Sequence, residues 1–293
     1  MKVAGFTFIR NAVKNDYPIV EAITSILPVC DAFYVALGNC DDGTEELINQ
    51  INSPKICLIK TVWNENIRAG GAVFAVETDK AFQAIPADFD WAFYIQGDEC
   101  VHEKYLATIR AEMETNLHNQ QVEGLLFKYL HFYGSYDYYS QSRRWYRREI
   151  RIIRNQKSIH AYRDAQGFRL DNRKIKVKLI DAYIYHYGWV KPPNGLKNKV
   201  QNFNQFYHDD TWIAENTPPE IVDFDYKNAD RMLVFDGTHP AVMQKRVAAS
   251  NWKLLIDPQK ISSQMSFRRK ILQKIEDLTG WRISEYRNYQ LIK

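Results

Sequence analysis

The chain has 293 residues, of which 45% are hydrophobic and 14% aromatic, and its formal net charge is +4. This is enough apolar material for one large domain, or for one domain with an appendage. So small an excess of positive charge suits phosphate-bearing ligands. It falls short of the basic signature of nucleic-acid-binding proteins, so we expect no nucleic-acid partner.

The four cysteines, Cys30, Cys40, Cys57 and Cys100, are scattered and form no C-x-x-C pair. This pattern is typical of reduced thiols in a reducing compartment. The N-terminus does not resemble a signal peptide, and no apolar stretch approaches the roughly 20 residues that a spanning helix needs. We therefore expect a cytoplasmic protein that is soluble or attached to a membrane surface.

The first hundred residues alternate strand and helix patterns. Four apolar runs have the length of buried strands: Val3 to Ile9, Phe33 to Leu37, Ile56 to Thr61 and Trp91 to Ile95. Strands that alternate with helices indicate βαβ units. The predicted fold class is α/β, with a mostly parallel sheet flanked by helices.

The helix patterns between these runs have recognisable ends. Apolar residues recur at helical spacing from Ile19 until Pro28, and Asp16 is the predicted N-cap. Asp42 and Glu45 resemble a capping box that opens the next helix. Gly70 and Gly71 precede a third helical pattern, which ends at Pro86.

From about residue 120 the pattern changes, and long polar and aromatic loops separate the apolar runs. The predicted strands here extend the sheet as a mixed one: Val122 to Leu130, Ile150 to Arg154, Ile175 to Ile180 and Tyr183 to Tyr187. After Gly195 the chain becomes helical and charged. We therefore expect a catalytic domain over 1–195 and a helical C-terminal extension over 196–293, packed on it.

Three of the first four predicted strands end in polar turns. The first ends in Arg10 and Asn11, the second leads into the turn GNCDDGT, and the fourth leads into QGDE, which begins at Gln96. In open α/β sheets, ligands bind beyond the carboxyl ends of the strands. A single acidic turn is more often a solvated loop, but three such turns on one rim favour a ligand site.

At these three places, FTFIRN, GNCDDGT and FYIQGDE, the chain resembles the family 2 glycosyltransferases, which have the GT-A fold. The resemblance is specific over residues 1 to about 110 and continues to about 195 through REIRIIRN and IYHYGWV. Beyond 200, FDGTHPAVM is similar to glycosyltransferases of bacterial surface-polysaccharide pathways. The resemblance implies a GT-A-like, Rossmann-related fold and an inverting, metal-dependent transfer of a sugar from a nucleotide-sugar donor to an acceptor hydroxyl. It further implies polysaccharide or glycoconjugate synthesis, with a carbohydrate or lipid-linked glycan acceptor.

The resemblance implies two metal ligands. Asp98 matches the carboxylate of the family's D-x-D motif, and His186 at the end of IYHYGWV would be a further ligand. A divalent cation, Mn²⁺ or Mg²⁺, neutralises the departing diphosphate in such a reaction. The other interpretation of His186 is a core histidine among Tyr185, Tyr187 and Trp189.

The nucleotide-binding positions depart from the family in two places. Gln96 replaces the first aspartate of D-x-D, and the family's base-binding aspartate aligns near Leu37 or Gly38. Asp42 and Thr44 match the family's turn, although they also fit a helix cap.

Further candidates to contact the base or the diphosphate are Arg10, Asn11 and Arg68. Exposed arginines are common, so Arg10 and Arg68 could also be ordinary surface residues.

An inverting transfer also needs a general base for the acceptor hydroxyl. The resemblance places this carboxylate after REIRIIRN, where Asp164 is the choice and Asp137 the reserve. Either could be a loop residue. Glu99, beside Asp98, suits a supporting position behind the metal site better than the role of base.

Two other segments leave alternatives open. Residues 132–154 are dense in tyrosine, tryptophan and arginine, which fits an acceptor-binding loop, core aromatics with snorkelling arginines, or a single-stranded nucleic-acid platform. Phe267, Ile271, Ile275 and Leu278 lie on one face of a basic helix that Gly280 could end. That face either packs on the domain, which is the preferred interpretation, or lies on an anionic membrane.

The sequence also bears on two other classes of protein. Gln96 and the missing base-binding aspartate are also compatible with a catalytically decayed GT-A-fold protein that binds carbohydrate or serves as a scaffold. A sugar nucleotidyltransferase would need a glycine-rich loop after the first strand, where Arg10, Asn11 and Ala12 stand instead.

Overall fold

A computed structural model gives the structure of the chain. It describes residues 1–67, 69–192, 195–196, 204, 206–207, 211–212, 215, 231–252 and 265–292.

Four parallel strands form the centre of the main sheet. They are β1 (Val3–Ile9), β2 (Ala32–Leu37), β3 (Ile56–Lys60) and β4 (Trp91–Tyr94), in the order β3-β2-β1-β4. All four residues of β4 are buried, as are six of the seven in β1, which explains their continuous apolar sequence. This strand order is that of a Rossmann-like half-sheet.

The sheet continues past β4 with strands of both directions. β8 (Arg148–Arg154) is antiparallel to β4 and to β6 (Gly124–Tyr133), and β12 (Lys176–Trp189) runs parallel to β6. The register of β12 shifts between Leu179 and Tyr183, so two predicted strands form one irregular strand. The predicted class, a GT-A-like α/β fold with a mixed sheet flanked by helices, is confirmed.

Short strands complete the main sheet and form a small second one. β5 (Glu99–Val101), β7 (Tyr138–Ser140), β13 (Met232–Val234) and β14 (Gln290–Leu291) pair at the margins of the main sheet. β9 (Ile159–Tyr162), β10 (Gly167–Leu170) and β11 (Arg173–Lys174) form a separate three-stranded sheet.

Helices cover both faces of the sheet. The described helices of more than three residues are α1 (Ile19–Ile26), α2 (Thr44–Asn49), α3 (Ala72–Gln83), α4 (Leu106–Thr115), α5 (Gln244–Ala248) and α6 (Phe267–Thr279). The buried face of α1 joins one apolar cluster of the core, and that of α3 joins the other. None of the described helices is long and apolar enough to cross a bilayer.

Two predicted helix caps are corrected. Asp16 does not cap α1, because Pro18 holds the cap position and the Asp16 carboxylate binds Arg246 at 2.6 Å. The predicted capping box of Asp42 and Glu45 is also absent, since Gly43, with φ 81°, precedes α2 and no side chain caps it. A positive φ costs glycine little, which explains Gly43 at this position.

Helix α6 has the predicted ends but not the preferred packing. It runs from Phe267 to Thr279, and Gly280 with φ 67° follows it. Gln273 is its buried residue, whereas Phe267 is 80% exposed and Leu278 is 77% exposed. The expectation that its apolar face packs on the domain is therefore wrong.

Candidate active site

A cavity of about 520 Å³ lies at the carboxyl ends of the central strands. The loop after β1 and the loop after β4 form one side of it, and the end of β12 and the segment before β10 form the other. Six of the predicted site residues line it: Arg10, Asn11, Gln96, Asp98, Asp164 and His186.

Strand pairing brings Asp98 and His186 together. β5 runs antiparallel to β12 with Glu99 opposite His186, and Tyr187 N–H donates to the Asp98 carbonyl at 2.8 Å. As a result, the Nε2 atom of His186 is 3.6 Å from Oδ2 of Asp98. Both side chains are mostly buried, with 9% and 15% of their surface exposed.

His131, which the sequence analysis missed, fixes the tautomer of His186. Its Nε2 atom is 2.6 Å from the Tyr146 carbonyl oxygen, and only an N–H can donate to a carbonyl. Burial and the neighbouring His186 hold the pKa of His131 well below its usual value, so this ring is neutral and its Nδ1 is an acceptor. His186 Nδ1 at 3.2 Å therefore donates to it, which makes Nε2, on the side of Asp98, the nitrogen through which His186 could bind a metal.

This arrangement fits a divalent cation. Two adjacent ligands of an octahedral ion lie about 3 Å apart, so a small side-chain movement brings Asp98 and His186 into range. A ligating histidine normally donates its second ring N–H to a supporting acceptor, and His131 is that acceptor. No group of three or more metal-ligating side chains occurs among the described residues, and Mg²⁺ commonly takes its remaining ligands from phosphates and water.

Glu99 is an anchor behind the site. Its carboxylate accepts two hydrogen bonds from Arg151, at 2.7 and 2.8 Å, and one from the Tyr129 hydroxyl at 2.8 Å. It also accepts the Gln96 N–H at 3.1 Å. Glu99 and Arg151 are fully buried, so this ion pair positions the loop that carries Asp98 and leaves Glu99 no free oxygen for proton transfer.

Asp164 lies on a strained turn that faces the cavity. Its neighbours Arg163 and Ala165 have φ values of 58° and 60°, which L-residues adopt only at a cost. The Tyr207 hydroxyl donates to Asp164 Oδ2 at 2.9 Å. Burial and the Asp164 charge raise the pKa of Tyr207, so the phenol stays protonated and orients the carboxylate.

The indole ring of Trp63 lies against Gly38, one of the two positions near which the resemblance places a base-binding aspartate. A Cβ atom on Gly38 would lie 2.5 Å from Nε1 of Trp63. The guanidinium of Arg10 lies 5.7 Å from the centre of the Trp63 ring and binds Glu65 at 3.0 Å. Arg10 Nε and Trp63 Nε1 are buried donors without a protein partner.

The turn after β2 supports the loop after β1. Asp42 Oδ2 accepts the Lys14 N–H at 2.8 Å, and its Oδ1 accepts the Thr44 hydroxyl at 2.5 Å. The Thr44 hydroxyl in turn accepts the Ala12 N–H at 2.7 Å. Asp42 is not among the described residues that line the cavity, so it shapes the rim without facing the space.

Two further predicted residues do not reach the site. Asp137 is exposed at the turn between β6 and β7, where it binds the Ser135 hydroxyl at 3.2 Å. It is absent from the described lining of the cavity, which argues against it as the reserve base. Arg68 lies outside the described residues.

The aromatic and arginine-rich segment, residues 132–154, contributes some side chains to the cavity and others to ion pairs. Trp145 and Tyr146 line the cavity. The arginines beside them, Arg143 and Arg147, bind Glu276 and Glu285 at 2.5 and 2.6 Å. The segment therefore connects the cavity wall to the C-terminal helix.

Solved structures align with part of the chain. A fragment of TarS from S. aureus in complex with UDP is 18% identical, covers 44% of this chain and 36% of its own length, and has a TM-score of 0.32. A second structure of S. aureus TarS is 15% identical and covers 69% of this chain and 39% of its own length, with a TM-score of 0.37. Glucosyl-3-phosphoglycerate synthase from Mycobacterium tuberculosis, in complex with Mn²⁺, UDP and phosphoglyceric acid, is 16% identical over 45% of this chain and 43% of its own, with a TM-score of 0.31.

The aligned regions span less than half the length of these solved chains. All three TM-scores are below 0.5, so we base the function on the residues of the cavity and not on these alignments. No protein-family model matches the chain, and no curated protein matches it.

Proposed function

We propose that the protein is a glycosyltransferase that moves a sugar from a nucleotide-sugar donor to an acceptor hydroxyl, with inversion and with a divalent cation. One observation supports this above all others. Asp98, His186 and Asp164 line a single cavity at the carboxyl ends of the central strands, together with Arg10 and Asn11. This is the place where open α/β sheets bind their ligands.

Asp98 and His186 would hold Mn²⁺ or Mg²⁺. When bound, the cation supplies charge neutralisation to the departing diphosphate. The protein contributes a fixed geometry, because β5 pairs with β12 and His131 fixes the tautomer of His186. The buried Glu99–Arg151 pair holds the Asp98 loop from behind.

Asp164 would serve as the general base. In the inverting step the acceptor oxygen attacks the anomeric carbon, the bond to the diphosphate breaks, and the hydroxyl proton passes to a carboxylate. Tyr207 holds Oδ2 of Asp164 by its hydrogen bond at 2.9 Å. The other carboxylate oxygen, Oδ1, would take the proton.

The donor's nucleotide would lie toward Arg10, Asn11 and Gln96. Trp145 and Tyr146 offer aromatic faces on which the apolar side of a sugar ring stacks.

The domain assignment and the setting belong to the same proposal. Residues 1–195 would form the nucleotide-sugar-binding and catalytic domain, with 196–293 packed on it. The acceptor would be a carbohydrate or a lipid-linked glycan in polysaccharide or glycoconjugate synthesis, with peripheral attachment to a membrane. The four cysteines are free thiols, as a cytoplasmic location would keep them.

A thermal-shift screen of UDP-, GDP-, CMP- and dTDP-sugars, with and without Mn²⁺, tests the proposal. We expect one nucleotide to raise the melting temperature only when the metal is present, and the same donor to be turned over or hydrolysed. A decayed carbohydrate-binding protein would instead bind sugar in the presence of a chelator and turn over no donor. That result would replace the transferase assignment.

A further inference from the structure

Helix α6 packs on the protein through its polar side. Glu276 binds Arg143 at 2.5 Å and Arg282 at 2.8 Å. Asp277, the next residue, binds Arg231 at 3.0 Å. Three of these side chains are largely buried, with exposed fractions of 15% for Arg143, 10% for Glu276 and 8% for Arg282, so buried ion pairs attach the helix.

The opposite side of α6 presents apolar side chains to solvent. Phe267 is 80% exposed, Ile271 is 44% exposed and Leu278 is 77% exposed. Their spacing places them on one helix face, and Trp281, 60% exposed, follows directly after Gly280. In a soluble protein, the apolar stripe of a helix normally faces the core. In α6 the apolar stripe faces solvent and the polar side faces the rest of the protein.

The charges that remain on the outer side are positive. Both acidic residues of α6, Glu276 and Asp277, bind arginines of the body. Arg268 and Lys274 are exposed beside the apolar stripe. A cavity of about 390 Å³ adjoins the N-terminal end of the helix, and its lining includes four arginines: Arg143, Arg144, Arg268 and Arg269.

We propose that this outer face of α6, with Phe267, Ile271, Leu278 and Trp281, docks on the surface of an anionic lipid bilayer. Large apolar side chains flanked by lysine and arginine are the composition of helices that lie in the membrane interface. Tryptophan prefers this depth, and each basic side chain near an anionic surface strengthens the attraction to it. The positive charges provide the complementarity that favours lipid over a second apolar protein surface.

The docking face is connected to the cavity by a short segment. Arg143 and Arg147 bind α6 and the turn after it, while Trp145 and Tyr146 between them line the cavity. Arg282 also donates to the Trp145 carbonyl at 2.8 Å. A bilayer bound at α6 would thus be connected to the cavity wall through residues 143–147. The docking is independent of the proposed transfer, whereas delivery of a lipid-linked acceptor from that bilayer rests on it.

Cosedimentation with vesicles tests the proposal. We expect the full chain to bind vesicles of phosphatidylcholine with phosphatidylglycerol, to bind phosphatidylcholine alone at least about tenfold more weakly, and to dissociate as salt rises. The double variant Phe267→Ser, Leu278→Ser should lose at least about tenfold in partitioning. Val76→Ser, at an exposed position of α3, is the matched control and should bind as the parent does.

A second pair of variants separates charge from apolar contact. Arg268→Gln with Lys274→Gln should weaken binding to the anionic vesicles and reduce its salt dependence. Arg110→Gln with Lys245→Gln, which removes two exposed charges elsewhere, should not. Because all these positions are exposed, the melting temperature should stay the same.

Three outcomes would overturn the docking proposal. They are no binding of the parent chain to the anionic vesicles, equal binding by the Phe267 and Leu278 variant, or a parent chain that self-associates through this face and ignores lipid. The Mn²⁺-dependent nucleotide shift, measured on the same variants, reports on the cavity alone. Loss of vesicle binding with that shift retained would support docking, whereas a parent chain without the shift would refute the proposed function and leave the docking result standing.

Discussion

At the scale of single residues, the site depends on a short relay of hydrogen bonds. The Tyr146 carbonyl sets the proton on His131, and His131 sets the proton on His186. His186 Nε2 thereby faces Asp98 at 3.6 Å. The effects of Asp98 and of His131 on metal affinity can be measured separately and without turnover.

Asp98→Asn should abolish the metal-dependent response. The amide keeps the shape of the carboxylate but lacks its charge, so we expect Mn²⁺ to bind at least about tenfold more weakly, and turnover to fall about a hundredfold or more. Mn²⁺ binding is measured by electron paramagnetic resonance in the presence of the nucleoside diphosphate. Asp181→Asn is the control, since Asp181 is 82% exposed and pairs with Lys128. An unchanged Mn²⁺ affinity in Asp98→Asn would remove Asp98 from the metal site.

His131→Phe should weaken Mn²⁺ binding about tenfold to a hundredfold, because His186 loses the acceptor that orients its ring. The phenyl ring is larger than the imidazole ring and His131 is buried, so the melting temperature of the variant is measured alongside its Mn²⁺ affinity. His118→Phe, at an exposed position, provides the comparison. If both variants bind Mn²⁺ as the parent does, His131 has no positioning role.

Some of these residues could be predicted from the sequence, and others could not. Asp98 and His186 stand in segments with a family pattern, and a motif order identified both. His131 lies inside the apolar run of β6, where nothing distinguishes it from a core histidine. Trp63 was missed for a similar reason, since its contact with Gly38 depends on the spatial approach of two loops.

At the scale of the elements, the strands that are buried on both faces were predictable and the short ones were not. β1, β2 and β4 have continuous apolar sequences that their burial requires, whereas β3, at the edge of the sheet, has no buried residue. β5, β13 and β14 contain only two or three residues each, and they are strands because a neighbour supplies hydrogen bonds. Their partners are remote in sequence, so no local pattern reveals them.

Strand β8 buries a carboxyl group with a consequence for stability. Burial raises the pKa of Glu149 to about 8, while the unfolded chain has the ordinary value near 4.5. The folded state therefore binds one more proton between these pH values. Stability is highest below about pH 4.5 with respect to this group, and it falls by about 1.4 kcal/mol per unit as the pH rises toward 8.

Glu149→Gln should remove this dependence. The amide is neutral at every pH and has nearly the same shape, so the variant should match the parent near pH 5 and exceed its stability by several kcal/mol near pH 8. Urea unfolding midpoints at the two pH values measure the difference. Equal differences at both values would show that Glu149 does not titrate with a raised pKa.

At the scale of the whole molecule, two residues near the end of the described chain, Asn288 and Tyr289, belong to the core. Tyr289 is 5% exposed and joins the same apolar cluster as Phe82 and Phe168. The Asn288 carbonyl accepts a hydrogen bond from Arg169 at 2.5 Å, and β14 pairs with β12. Residues 288–291 are therefore joined to the core and to the main sheet.

Tyr289→Ala should lower the free energy of unfolding by about 3 to 5 kcal/mol, as truncation of a buried aromatic side chain does. Tyr286→Ala should cost about 1 kcal/mol or less, because Tyr286 is 56% exposed and its ring contacts the cations of Arg163 and Lys174 at the surface. Chemical denaturation of both variants makes the comparison. Similar losses in the two would argue against a core position for the C-terminal residues.

The direction in which α6 faces could not be read from its sequence. The apolar periodicity predicted the helix and its end at Gly280, but a periodic stripe does not state what covers it. Ion pairs from Arg143, Arg231 and Arg282 hold the polar side of α6 against the protein. These arginines lie at least one element away along the chain or beyond Gly280, so the helix sequence does not reveal them.

The indole over Gly38 also limits how this cavity can change in evolution. Trp63 is wedged among Phe8, Phe74 and Phe206, with ring centres 5.5 to 5.8 Å away. A carboxylate gained at position 38 would therefore collide with a ring that has no room to retreat. A side chain at position 38 would therefore need a second replacement, at Trp63, to make room for it.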